Sequence, residues 1–249
     1  MTCGDADAPK TVTVCSAFPD FQNSGIAQLL TASLKDGSAA QPLPAIRGDT
    51  DGDGKAETVE LRLTADGIPF LTADGEVALC LRACDPAHYG GADMRVLDCG
   101  DGRDAVVIVW SNLWSLHLQC AMQDADGWRE LTLPAPEVTA ALSAPYRVDF
   151  TLPDGQAVSL DAREYAALAD CFDESGKPYS ERGSVVFRVD SPHEATEWDG
   201  RTALRFTGYP ILTARGAEGD GEYDFAALPM TLYIKDGALC YAYGALTAE

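Results

Sequence analysis

Short runs of alternating apolar and polar residues recur along this chain, and aspartate-glycine turns separate them. Glu57-Thr-Val-Glu-Leu-Arg-Leu-Thr64 puts Val59, Leu61 and Leu63 on one face and Thr58, Glu60 and Arg62 on the other. That period of two predicts a strand with one buried side. Comparable strands are predicted at Lys10–Ser16, Glu76–Arg82, within Met94–Trp110, and at Ser115–Ala121 and Trp128–Leu133. Tyr146–Thr151 and Gln156–Leu160 read as a hairpin around Pro153-Asp-Gly155, followed by strands at Ser184–Val189, Thr202–Phe206, Met230–Lys235 and Ala238–Tyr243. The last two flank Asp236-Gly237, the strongest hairpin signal in the chain. Helical spacing occurs twice. Ser24–Lys35 has a serine N-cap and a stop at Gly37, and is expected to lie as a lid on a sheet; Asp161–Phe172 opens with aspartate and places Glu164 three residues on, a capping-box arrangement. The fold class is therefore mainly β with two short helices.

One polar stretch interrupts this pattern. Asp49-Thr-Asp51-Gly-Asp53-Gly54-Lys-Ala-Glu57 presents carboxylates at the first, third, fifth and ninth positions and a glycine at the sixth. A hard cation such as Ca²⁺ takes six to eight oxygens, and a chain can turn tightly around it only where one residue accepts positive φ, which Gly54 does at no steric cost. An apolar strand follows and Pro42 and Pro44 precede it, so neither flank is an EF-hand helix. Asp49, Asp51, Asp53 and Glu57 are the candidate side-chain ligands, and the Lys55 carbonyl is a fifth oxygen. Glu60 should point away along the strand. A solvated Asp/Gly turn is the alternative for the same residues.

Charge narrows the partners. The 249 residues hold 39 acidic and 18 basic side chains, a formal charge of -21, so nucleic acid and anionic membranes are excluded as partners for want of a basic face. No apolar run approaches the length of a transmembrane helix. A calcium loop of modest affinity suits an exterior where calcium is millimolar. The amino terminus agrees: Met1-Thr-Cys3-Gly-Asp-Ala-Asp-Ala-Pro9 reads as a lipoprotein end with Cys3 acylated and residues 1–9 as tether, the signal peptide removed. The expected location is extracellular, lipid-anchored at the cell surface. Eight cysteines (Cys3, Cys15, Cys80, Cys84, Cys99, Cys120, Cys171 and Cys240) include no Cys-x-x-Cys, which argues against structural zinc, and their pairing is not legible.

About fifty residues after the loop its plan returns: Asp98-Cys99-Gly100-Asp101-Gly102-Arg-Asp104 precedes the apolar run to Trp110. One residue is missing and Cys99 stands where Asp51 stands, so no ion is expected here. A strand-built period of this length suggests propeller-type blades. The organisation expected is a calcium-loop repeat region at 10–133, a connector at 134–144 and a C-terminal β region at 145–249, packing on it or continuous with it.

These residues resemble the FG-GAP/VCBS-type repeat of integrin-α-like propellers, and the layout is similar to VCBS-like bacterial surface lipoproteins. The match runs over about residues 46–133. The resemblance implies propeller-like antiparallel sheets, as an incomplete or small propeller, with calcium held by Asp49, Asp51, Asp53 and Glu57. The function expected is a calcium-stabilised scaffold or binding domain, a monomer with a protein or carbohydrate partner at the cell surface. A carbohydrate-binding module is the alternative, with Trp110, Trp114 and Trp128 as candidate stacking faces. A secreted glycoside hydrolase using paired carboxylates has less support. No Gly-x-Ser-x-Gly, His-Glu-x-x-His or phosphate loop is present, and His88, His117 and His193 have no legible catalytic partner, so no catalytic residue is assigned.

Overall fold

The computed structural model describes residues 25–37, 43–81, 91–111, 116–133 and 137–248. The expected first strand, the Cys3 tether, Ser24, Cys15, Cys84, His88 and Trp114 lie outside them. The chain divides into two compact units: one runs through Leu133 and includes Glu197–Ala203 and Ile234–Leu239, and the other takes the rest.

The first unit holds helix α1 (Gly25–Asp36) and two four-stranded antiparallel meanders of propeller-blade type. One comprises β1 (Ala45–Gly48), β2 (Glu57–Leu63), β3 (Pro69–Ala73) and β4 (Glu76–Cys80); the other comprises β5 (Gly91–Asp98), β6 (Asp104–Ser111), β7 (Leu116–Asp124) and β8 (Gly127–Leu131). Alternation does what the sequence implies. Val59, Leu61, Leu71 and Leu79 of the first sheet share a buried cluster with Met94, Val106, Ile108 and Trp110 of the second. Burial of each such side chain stabilises by about 1.5–3 kcal/mol.

The other face of the first sheet is covered as well. Phe70, Val77 and Cys80 pack on Leu30, with Leu34 at the margin, so α1 is the lid that its spacing predicts. Strand β3 is therefore buried on both sides, from Pro69 through Thr72. It lacks alternation for that reason, and its leading proline disguises it further. Asp74-Gly75 closes β3 to β4 with φ of 47° and 85°, the two left-handed residues of a primed hairpin turn.

The nine-stranded sheet, whose residues lie mostly in the second unit, comprises β9 (Glu137–Ser143), β10 (Arg147–Thr151), β11 (Ala157–Asp161), β12 (Arg182–Trp198), β13 (Arg201–Gly216), β14 (Gly219–Asp224), β15 (Ala226–Lys235), β16 (Ala238–Tyr243) and β17 (Thr247–Ala248). The order is β11-β10-β9-β12-β13-β15-β16, with β14 paired to β13 and β17 to β15. Phe225 anchors the interior, edge-on to Phe150 at 6.4 Å and to Tyr165 at 5.9 Å. The turn at Asp236-Gly237 forms as predicted, with φ of 52° and 72°.

Two expectations need correction. The connector at 134–144 contains β9, whose alternation buries Ala140 and Leu142; flanking prolines and small residues mask a strand there. The second helix is broken. A 3-10 turn at Ala162–Glu164 is followed by an extended Tyr165 (φ −127°, ψ 103°) and only then by α2 (Ala166–Ala169). Asp161 accepts the Arg163 amide and pairs with the Arg163 guanidinium, so its capping capacity is spent within two residues. Tyr165 meanwhile turns out to meet Phe225.

The fold class is as read: mainly β, with propeller-like antiparallel sheets and two short helices.

Candidate metal centre

The acidic stretch is the loop of the β1–β2 hairpin, entered at Gly48 and left at its register partner Glu57. Gly48 is required there, since a Cβ would lie 2.9 Å from Val96 Cγ1 and 3.1 Å from Asp104 Oδ2. Main-chain amides wrap the carboxylates. Asp49 accepts from Gly52 (2.8 Å, Oδ1) and Gly54 (2.9 Å, Oδ2), Asp51 Oδ1 from Asp53 (3.0 Å), and Asp53 Oδ1 from Lys55 (2.8 Å). Gly54 has φ +86°, as expected of the residue that lets the chain turn inward, and Gly52 does the same at +81°.

Glu57 is held from the opposite side. Its Oε2 accepts the Thr50 amide at 2.7 Å and the Thr50 hydroxyl at 2.8 Å. Thr50 is fully buried and its hydroxyl also lies 3.3 Å from Gln123 Oε1. The Lys55 ammonium sits 2.9 Å from Asp53 Oδ2. That hydrogen bond is the main reason the Asp53 carboxyl lies below the ordinary carboxylate range. Glu60 turns to the other sheet face and pairs with Arg62 at 2.7 Å.

The result brings Asp49, Asp51, Asp53 and Glu57 together, one carboxylate oxygen from each lying within 4.8 Å of the others. Four anionic oxygens gathered this closely are hard donors of the kind that hold a metal cation. The acidic cluster can hold a metal ion, and among the described residues it is the one such group of histidine, cysteine or acidic side chains.

The second hairpin loop is built on the same frame with Cys99 in place of one carboxylate and Asp101 paired to an arginine. Gly100 and Gly102 have φ of +80° and +90°, matching Gly52 and Gly54. Arg103 bonds Asp101 as Lys55 bonds Asp53, and donates further through Nη1 to the Gln123 carbonyl at 2.7 Å. Cys99 is buried, and burial pushes its thiol up to about 11, which keeps it protonated and poor as a ligand.

Two bonds join these loops. The Asp49 amide donates to Asp104 Oδ2 at 3.0 Å, and the Asp104 amide donates to the Asp49 carbonyl at 2.7 Å. Burial is the first cause raising the Asp104 carboxyl above its usual value, and the charges of Asp98, Asp49 and Glu57 add to it. Sequence reasoning does not find Thr50, Gln123 or Asp104 as supports of the loop, because two of these partners come from strands 55 and 73 residues away.

Other candidates fall elsewhere. Trp110 is 2% exposed and donates through Nε1 to Gln119 Oε1 at 2.7 Å, so it offers a sugar no free face; Trp128 is half-buried against the shared core. Trp198, which carries no expectation, is 41% exposed. A shallow groove of about 530 Å³ over β9–β11 has one acid in its lining, Asp149, already paired with Arg147 at 2.6 Å. That is not the carboxylate pair a glycosidase needs. Burial lowers the pKa of His117. Cys99, Cys120 and Cys171 are buried free thiols. Among the described residues no helix is long and apolar enough to cross a membrane.

Compared with protein-family models, curated proteins and solved structures, the chain has no match in any of the three.

Proposed function

We propose that this chain is the extracellular, calcium-stabilised β scaffold or binding domain of a bacterial surface lipoprotein, anchored through Cys3. The observation that carries the reading is the inward convergence of Asp49, Asp51, Asp53 and Glu57 in the β1–β2 loop. The Lys55 carbonyl and water complete the ion's shell. The ion offsets part of the charge of four clustered carboxylates and fixes a hairpin whose strands belong to the shared core. Its role is structural, and the partner, a surface protein or carbohydrate, docks on exposed loops. Sites of this kind outside cells bind with Kd of about 10⁻⁴ to 10⁻³ M.

Thermal unfolding in calcium and in EDTA tests it. At calcium about tenfold above Kd the linkage is about 1.4 kcal/mol, which raises Tm by about 3–6 °C for a chain of this size. Asp51→Ala/Asp53→Ala should abolish the rise. An unchanged wild-type Tm in millimolar calcium would reduce the loop to a solvated turn.

A further inference from the structure

The two hairpin loops of the first unit share a backbone frame but differ in what balances their charge. In the first, four carboxylates face one another and Lys55 reaches only Asp53. In the second, the Arg103 guanidinium uses Nε and Nη2 on Asp101 Oδ2, at 3.0 and 2.5 Å, and Nη1 on the Gln123 carbonyl at 2.7 Å. Those acceptors lie on two different elements: Asp101 on the loop between β5 and β6, Gln123 near the end of strand β7. A planar guanidinium has five donors in fixed directions and bridges such acceptors, whereas an ammonium presents a point charge. The arginine stem is also placed. Its Cγ would be 2.9 Å from a Cβ at Gly52, so it lies against the first loop while its head serves the second.

We infer that Arg103 is a built-in cation for the second hairpin loop, tying it to β7 and making that end of the β5–β8 sheet independent of dissolved ions. The comparison with an ion rests on the calcium reading of the first loop; the tether does not. Arg103 is in this sense a positioning residue. It leaves the second loop folded when calcium is withdrawn, and keeps Asp104, one residue on, where it receives the Asp49 amide.

Amide hydrogen exchange on the full chain, in calcium and in EDTA, tests this. The informative amides are Gly100 and residue 103, whose bonds lie within the second loop and its flanking aspartate. In wild type their exchange should change less than twofold on calcium removal, while Gly52 and Gly54 exchange faster. Arg103→Met keeps the apolar stem over Gly52 and removes the guanidinium. It should speed exchange at the second loop at least tenfold in both conditions, with Arg103→Lys intermediate. Asp101→Asn, which removes only the charge of the acceptor, should move the same amides in the same direction and guards against a methionine variant that does not fold. Wild-type exchange in both Arg103→Met and Asp101→Asn would overturn the inference, as would a wild-type second loop that opens in EDTA. If the first loop ignores calcium while Arg103→Met opens the second, the calcium reading alone fails.

Discussion

Asp49 and Asp104, 55 positions apart, hold each other's main chain: each amide donates to the other residue, one to a carboxylate at 3.0 Å and one to a carbonyl at 2.7 Å. The first carboxylate residue of the acidic loop is thereby tied to the first residue of β6. A local motif thus depends on a distant partner. Asp104→Ala leaves the Asp49 amide without its acceptor and should cost about 1–3 kcal/mol. Chemical denaturation in EDTA measures this apart from any ion.

The same residue gives a pH signature. Its carboxyl titrates higher in the fold than in the unfolded chain, so the folded state holds the proton more strongly. The associated stability is fully present below the unfolded value near 3.8 and is lost as pH rises through the folded value. Asp104→Asn cannot titrate. Wild type should therefore gain stability relative to this variant in EDTA as pH falls from 7 to 4, and a difference that is constant with pH would refute the shift.

Gly52 and Gly54 both need left-handed backbone, but only Gly52 has a neighbour against it. Gly54→Ala should cost about 1–2 kcal/mol from conformation alone. Gly52→Ala should cost more, because its Cβ must also displace the Arg103 stem. Denaturant midpoints of the two variants, compared in EDTA, decide the order.

Trp110 is buried and its indole N–H is matched to Gln119, itself 2% exposed. Trp110→Phe leaves that buried amide oxygen without the indole donor and opens a void, so a loss of about 1–3 kcal/mol or more is expected. Were Trp110 a sugar platform instead, the substitution would weaken saccharide binding with little effect on unfolding.

In the second unit Tyr146 is a hub. Its hydroxyl donates to the Asp173 carbonyl at 3.1 Å, and its ring packs 5.5 Å from Phe172 and under Arg163. Tyr146→Phe should cost about 0.5–1.5 kcal/mol. Gly176→Ala should cost more, since φ there is +80° and a Cβ would sit 2.6 Å from Tyr146 Cε2. Urea unfolding monitored by near-ultraviolet circular dichroism follows both.

What the sequence makes legible is whatever a local pattern encodes. Val59, Leu61 and Leu63 announce β2, Asp236-Gly237 announces its hairpin, and the spacing Asp49, Asp51, Asp53, Glu57 announces the cluster. Strand β3 is hidden because Phe70 and Leu71 are buried on opposite faces, which removes the alternation that would reveal it. β1 is hidden by Pro42 and Pro44 and by its four-residue length. The broken helix at Tyr165 misleads because a capping pattern says nothing of an aromatic ring drawn toward Phe225. For the site, the clustered carboxylates are local but their supports are not: Thr50 reads as a spacer until Gln123 arrives beside it.

The interleaved course of the chain has a practical consequence. The first unit includes Glu197–Ala203 and Ile234–Leu239, which are encoded after the second unit has begun. A gene truncated after Leu133 would therefore lack pieces of the unit it was meant to isolate, and ribosomal synthesis cannot finish that unit until Leu239 has emerged. The acidic loop is made early, but its host is completed late.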